Sequence, residues 1–286
     1  MAGRYFTCLL LALVVGCSED NSTDKSTDKN SDNRLDYHPP QHAKQQNAEQ
    51  PSSQEYLKPC PIISKTETVK VSSVYDGDTL TLSDGRKVRL IGINATEMGQ
   101  KQQSPQPYAL QARDAVRTFV EDSNRIELLL DVEAKDHYGR WLGHIYNEIG
   151  ENLEQSLLQQ GLAYHVAIPP NLSLAPCLAQ AEQLAQKHQL GLWGDKVLPP
   201  VKAALVHQGG FQRVQGTVSS IHAGKHWRLD MDNHLTVMIY SEHHHRFTQA
   251  WFKGLLDKRI EVQGWVYKAK GQWRIKLETP YGVELL

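Results

Sequence analysis

Four separated groups of residues carry the chemistry of this chain: Asp76-Gly77-Asp78-Thr79, then Arg89 in a basic stretch, then Glu97, and farther down Tyr138-Gly139-Arg140. Two acids and two arginines suit the handling of a phosphodiester. A scissile phosphate needs a cation to neutralise developing negative charge, and planar guanidinium groups grip its oxygens through paired, charge-assisted hydrogen bonds. On that reading Asp78 and Glu97 serve a metal and Arg89 and Arg140 hold the phosphate. Taken singly, an Asp-Gly-Asp turn is more often plain hairpin chemistry, and a lone arginine or glutamate a solvated face. Their combination points to a site.

The elements that must position these residues follow from hydrophobic periodicity. Val69 and Val71 lead into the Tyr75-Asp76-Gly77-Asp78 turn, Leu80 and Leu82 alternate up to Asp84-Gly85, and Val88 to Ile93 follow as a third strand. Asp-Gly between alternating apolar runs is a strong hairpin signal. Ala112, Ala115, Val116 and Phe119 share one face of a helix over 108–120, Ile126, Leu128 and Leu130 mark a fourth strand, and Trp141 to Tyr146 a fifth. Three strands, a helix and two strands is the order of a five-stranded OB-fold barrel. Amphipathic helices over 153–160 and 176–188 follow. Asp78 then sits after the first hairpin turn, Arg89 on strand three, Glu97 just beyond it and Arg140 at the start of strand five, places that can converge on one cleft.

Four blocks, Val74-Tyr75-Asp76-Gly77-Asp78-Thr79, Val88 through Glu97, Tyr138-Gly139-Arg140-Trp141-Leu142 and Leu190-Gly191-Leu192-Trp193, make residues 65 to 195 resemble the staphylococcal-nuclease-like (thermonuclease) domain family. The resemblance implies an extracytoplasmic, calcium-dependent endonuclease that attacks DNA and RNA and leaves 3′-phosphates. It implies Asp78 as a metal ligand, Glu97 as the group that positions or deprotonates the attacking water, and Arg89 and Arg140 as stabilisers of the pentacovalent phosphate. Asn94, a neutral oxygen donor, stands where the family has a second metal-binding aspartate, and Ala95 where the family uses a backbone carbonyl. Ala167-Ile168-Pro169-Pro170 replaces the stretch in which the best-known member carries base-stacking tyrosines. Tyr138 is a candidate substrate contact beside Arg140.

After Lys196 the pattern begins again. Val214, Gly216 and Val218 alternate, as do Trp227, Leu229 and Met231, and Leu235, Val237 and Ile239. Phe247, Ala250 and Trp251 have helical spacing, and Ile260, Val262 and Val266 precede Trp273, Ile275 and Leu277. The expected class is therefore mainly β with helices (α+β): the barrel at 59–195, a linker at 196–206 and a second, small OB-like barrel at 207–286. Trp265 and Tyr267 fall out of phase with the apolar set and face outward, either to stack on unpaired bases or to pack against the first barrel. His243-His244-His245 suggests a metal, although consecutive histidines point in different directions.

The first 17 residues read as an export signal, with Arg4 ahead of an apolar core, Leu9 to Val15, too short to span a bilayer. Val14-Val15-Gly16-Cys17 looks like a lipobox, which makes Cys17 the lipidated first residue of a bacterial lipoprotein. Ser18 resembles an outer-membrane sorting signal; the alternative is an ordinary cleaved signal and a secreted protein. Residues 18–58, rich in Ser, Asp, Asn, Gln and Lys, cannot bury a core and form a tether reaching about 35 Å. With Cys8 and Cys17 assigned to the signal and anchor, Cys60 and Cys177 remain, either as one disulfide of an oxidising compartment or as two unpaired buried cysteines. A disulfide would close a loop of roughly 117 residues and contribute ~4–5 kcal/mol in the chain-entropy model.

The 31 basic and 32 acidic residues give no bulk excess of positive charge for tight nucleic-acid binding, so a DNA or RNA substrate must rely on a local cleft. The alternative function is a catalytically weak nucleic-acid-binding or surface-assembly lipoprotein. Nothing in the sequence points to an obligate protein partner.

Overall fold

In the computed structural model, which describes residues 57–99, 103–194 and 197–286, two β-rich cores follow one another. The export signal, Cys17 and nearly all of the tether lie outside those residues. In the first core, β1 (Glu67–Val69) and β2 (Val71–Val74) run on through Lys70 as one bent strand, followed by β3 (Thr79–Leu82) and β4 (Lys87–Leu90). Alternation sets their faces: Leu80, Leu82, Val88 and Leu90 are all buried. Then come β5 (Ile93–Ala95), α1 (Ala109–Glu121), β6 (Ile126–Lys135), β7 (Trp141–Asn147), α2 (Leu153–Gln159), β8 (Ala163–His165) and α3 (Ala175–Lys187). The sheet order β1-β6-β7-β4-β3-β2 returns on itself through the shared strand β1–β2, with β4 and β7 parallel.

The third strand does not continue to Ile93 as its apolar run predicts. Gly92 has φ of 81°, a conformation that favours glycine, and a Cβ there would strike the Leu178 side chain of α3. The chain turns, and Ile93–Ala95 pairs instead with β8. Helix α1 buries Ala109, Ala112 and Val116. Cys60 and Cys177 are bonded to each other, which ties the segment before β1 to α3.

The second core contains β9 (Val201–Lys202), β10 (Gly210–Ala223), β11 (Trp227–Met231), β12 (Leu235–Ile239), α4 (Gln249–Gly254), β13 (Arg259–Ala269), β14 (Gln272–Lys276) and β15 (Val283–Leu285). Strands β10-β11-β12-β14-β13 close because β13 also pairs with β10. Part of the segment read as linker belongs to this barrel: β9 pairs with β10, and Ala203 and Val206 are buried in its core. The helical face also differs. The Thr248 side chain accepts from the Trp251 N–H and starts the six-residue α4, so Phe252 and Leu255 turn inward while Ala250 stays exposed.

The two barrels share a junction. Tyr164, Ala185, Leu192 and Trp193 form a small cluster against which Phe211 of the second barrel packs. The Gln263 side chain donates to the His165 carbonyl at 2.9 Å and to Glu182 at 3.2 Å. Thr279 donates to the Ala167 carbonyl, and the Arg213 guanidinium, paired with Glu261, lies 4.2 Å from the Trp193 ring.

Candidate active site

The Asp76-Gly77-Asp78 turn is drawn into the barrel by its glycine. A Cβ at Gly77 would lie 2.6 Å from Ala112 Cβ and 2.7 Å from Ala95 Cβ, so only glycine lets the turn close against α1 and β5. Asp78 Oδ2 thereby accepts from the Ala95 N–H at 2.9 Å and meets Arg89 Nη2 at 3.0 Å. Its backbone N–H donates to Asp76 Oδ1 at 3.0 Å. Arg89 Nη2 also donates to Asn94 Oδ1 at 3.3 Å, and Nη1 to the Leu90 carbonyl at 2.6 Å. Asp76, Asp78, Arg89 and Asn94, from one turn and two strands, thus form a single cluster. Burial pushes the Asp76 carboxyl up to about 6, with the Asp78 charge adding to the shift.

Arg140 is placed by the following hairpin. Register pairs Arg89 with Leu142, and Arg140 stands just before β7, at the end of the hairpin that β6 and β7 form. Asp136 holds it: Arg140 Nε donates to Asp136 Oδ2 at 2.7 Å, and its backbone N–H to Oδ1 at 2.9 Å. Burial pushes the Asp136 carboxyl up, but the hydrogen bonds from Arg140 outweigh it and leave the pKa below the usual range. Tyr138 is 75% exposed and lies under the Arg140 guanidinium at 5.6 Å. Glu97 is exposed just past β5; its N–H donates to Gln106 Oε1, and its carbonyl accepts from the Gln106 N–H, both at 2.9 Å.

The donor chemistry around Asp78 fits a hard cation. Two carboxylates and the Asn94 carboxamide are oxygen donors, and Asp76 and Asp78 crowd negative charge that a cation would relieve. The charge is low for such a site, since no group of three His, Cys, Asp or Glu suited to a metal occurs among the described residues. The three histidines diverge: His243 pairs with Glu278, His244 contacts the Ile239 carbonyl and stacks on Trp227, and His245 is exposed. Tyr267 bonds the Tyr240 hydroxyl at 3.1 Å, whereas Trp265 stands apart from it against Phe211.

Sequence reasoning gave no role of their own to three supporting residues. Asp76 forms the acid pair with Asp78, and its Asp-x-Asp spacing was the available signal. Asp136, four residues before Arg140 across a glycine turn, orients that arginine. Gln106 braces Glu97 and left no pattern in the sequence.

A barrel that gathers paired carboxylates beside a guanidinium, with a second guanidinium at the start of a neighbouring strand, has the chemistry to handle a phosphate. Residues 87–195, which include Arg89, Asn94, Glu97 and Arg140, match the family described as Staphylococcal nuclease homologue. The chain is 34% identical over 131 residues to the thermonuclease of Staphylococcus intermedius, covering 44% of this chain and 76% of that one. It is 30% identical over 133 residues to the thermonuclease of Staphylococcus hyicus, covering 45% and 77%. An uncharacterized endonuclease of Escherichia coli O157:H7 is 29% identical over 129 residues, covering 44% and 76%. The chain belongs to the staphylococcal nuclease family.

Proposed function

We propose that the protein is an exported, calcium-dependent endonuclease that hydrolyses phosphodiester bonds of DNA, RNA or both, and leaves 3′-phosphates. The observation that carries this reading is the Asp78–Arg89–Asn94 cluster, with Arg140 at the start of the strand that pairs with the one bearing Arg89. Arg89 and Arg140 bind the phosphate oxygens and stabilise the charge that develops on them. Arg89 keeps its Nε–H and one Nη1–H uncommitted among the described residues, and these can reach a phosphate. Glu97 accepts the proton of the attacking water. Its exposed position beside the cluster suits a base that must meet solvent. Asp76, Asp78, Asn94 and the Ala95 carbonyl would hold the calcium ion, which supplies Lewis-acid charge neutralisation at the phosphate.

Export and anchoring rest on the Leu9–Val15 apolar core and the lipobox ending at Cys17. The Cys60–Cys177 disulfide supports an oxidising compartment, and an outer-membrane anchor facing the periplasm is the location proposed. The weak-binder alternative draws on the hydrogen bond from Arg89 Nη2 to Asn94 Oδ1, which engages the Asn94 oxygen with a guanidinium. Analysis of oligonucleotide product ends, with calcium or with chelator, separates the two. Calcium-dependent products with 3′-phosphate ends support the nuclease, and intact substrate supports the binder.

A further inference from the structure

A cleft of about 490 Å³ lies between the barrels and is lined by Asn94 and Glu97 of the first barrel and by Phe211 and Trp265 of the second. That volume suits a nucleotide-sized group. The two aromatic residues lie outside the stretch that matches the family, 87–195. Phe211 and Trp265 meet edge to face with centroids 5.1 Å apart, and Tyr164 backs Phe211 at 5.2 Å. Tyr164 in turn rests edge-on against Trp193 at 5.5 Å. The aromatic wall is therefore braced from behind, yet Trp265 keeps 44% of its surface exposed.

The remaining chemistry of the cleft selects its occupant. Arg213, a cation on its lining, is engaged by both carboxylate oxygens of Glu261 and lies over Trp193, which leaves it poorly placed for a phosphate. Gln106, Gln208 and Gln212 contribute amide and backbone groups instead. Ring faces and amides recognise a nucleobase, whereas the free guanidinium donors belong to Arg89 and Arg140. A strand gripped at its scissile phosphate must place its neighbouring nucleotides on adjoining surfaces, and this cleft begins at Glu97.

We infer that the cleft is a subsite for an unpaired nucleobase neighbouring the scissile phosphate, with Trp265 and Phe211 as its stacking wall. This rests on the nuclease reading above and deepens it by placing an unstacked base on residues of the second barrel, because a base inside a duplex cannot offer its face to Trp265. Tyr267, bonded to Tyr240 and absent from the cleft lining, has no part in it.

The test is steady-state cleavage of a single-stranded oligonucleotide and of the matching duplex by the mature full-length protein. One lost stack should raise the single-strand KM of Trp265→Ala by about 5- to 150-fold. Trp265→Phe should retain most of the wild-type KM, and the single-strand preference should shrink in the alanine variant alone. An unchanged KM in a Trp265→Ala protein of native melting temperature would overturn the subsite. If that variant does not fold, photocrosslinking of wild-type protein to a 5-bromouracil-substituted single strand in chelator decides: adducts on Trp265 or Phe211 support the cleft, and adducts solely elsewhere refute it. Crosslinking there by a wild-type protein that cleaves nothing would remove the nuclease reading while leaving the base site standing.

Discussion

Asn94→Asp is expected to tighten calcium binding by at least about tenfold, or ~1.4 kcal/mol. Asn94 Oδ1 and Asp78 Oδ2 lie 3.3 and 3.0 Å from the same Arg89 nitrogen, so a carboxylate at position 94 stands close to Asp78. At a separation of about 4–6 Å and an effective dielectric near 20, the two charges repel by ~3–4 kcal/mol without metal. Arg89, touching both, offsets part of this. A calcium ion at its usual distance of about 2.3–2.6 Å carries twice the charge at roughly half the separation, so its added attraction is about four times that repulsion. Desolvation and displacement of Arg89 reduce the gain to the modest figure above. Calorimetric titration and the calcium dependence of cleavage measure it independently, and the metal-free variant should melt below wild type at neutral pH. Equal calcium affinities and equal half-maximal calcium concentrations would refute the reasoning, placing the Asn94 side chain on Arg89 and off the ion.

Two other consequences reach beyond the site. Glu182, fully buried at the junction, has its pKa pushed up to about 8 by burial, which outweighs the His165 N–H, the Gln263 amide and Arg213. A carboxyl with a raised folded pKa contributes stability at low pH that fades as pH rises from its unfolded value through 8, so Glu182→Gln should remove a loss of ~2 kcal/mol between pH 6.5 and 8, read by denaturant unfolding. His165, with both ring nitrogens unpartnered among the described residues and a pKa lowered to about 4 by burial, loses stability in the opposite direction, as pH falls below 6.5; equal pH slopes for wild type and Glu182→Gln would show that Glu182 is ionised in the folded protein. Cys17→Ala should move the protein from the membrane to the soluble periplasmic fraction, and an unmodified mature N-terminus in the wild type, by mass spectrometry, would rule out the lipid anchor.

Strands and helices of the first barrel were legible because their burial follows simple periods, as at Leu80, Leu82, Val88 and Leu90. The four charged candidates, Asp78, Arg89, Glu97 and Arg140, stood out as a pattern of types along the chain. What joins them was not, because it depends on long-range packing: Gly77 against Ala112 and Ala95, and Gly92 against Leu178. An apolar run cannot show a strand that breaks because a helix side chain comes from elsewhere. In α4, adjacent Trp251 and Phe252 left the phase ambiguous until Thr248 fixed the helix start. The cleft was hidden most fully, since Phe211 and Glu97 meet on it only after the two barrels dock.

The most direct test of the site is turnover of a single-stranded oligonucleotide by purified wild type, Arg89→Ala, Arg140→Ala and Glu97→Ala, each with calcium and with chelator. Removing one preorganised group that stabilises the transition state typically lowers turnover by about 10²- to 10³-fold, so each variant should fall that far while keeping the wild-type melting curve, and chelator should stop the wild type. Wild-type-like cleavage by either arginine variant would contradict the assignment of these residues to the phosphate.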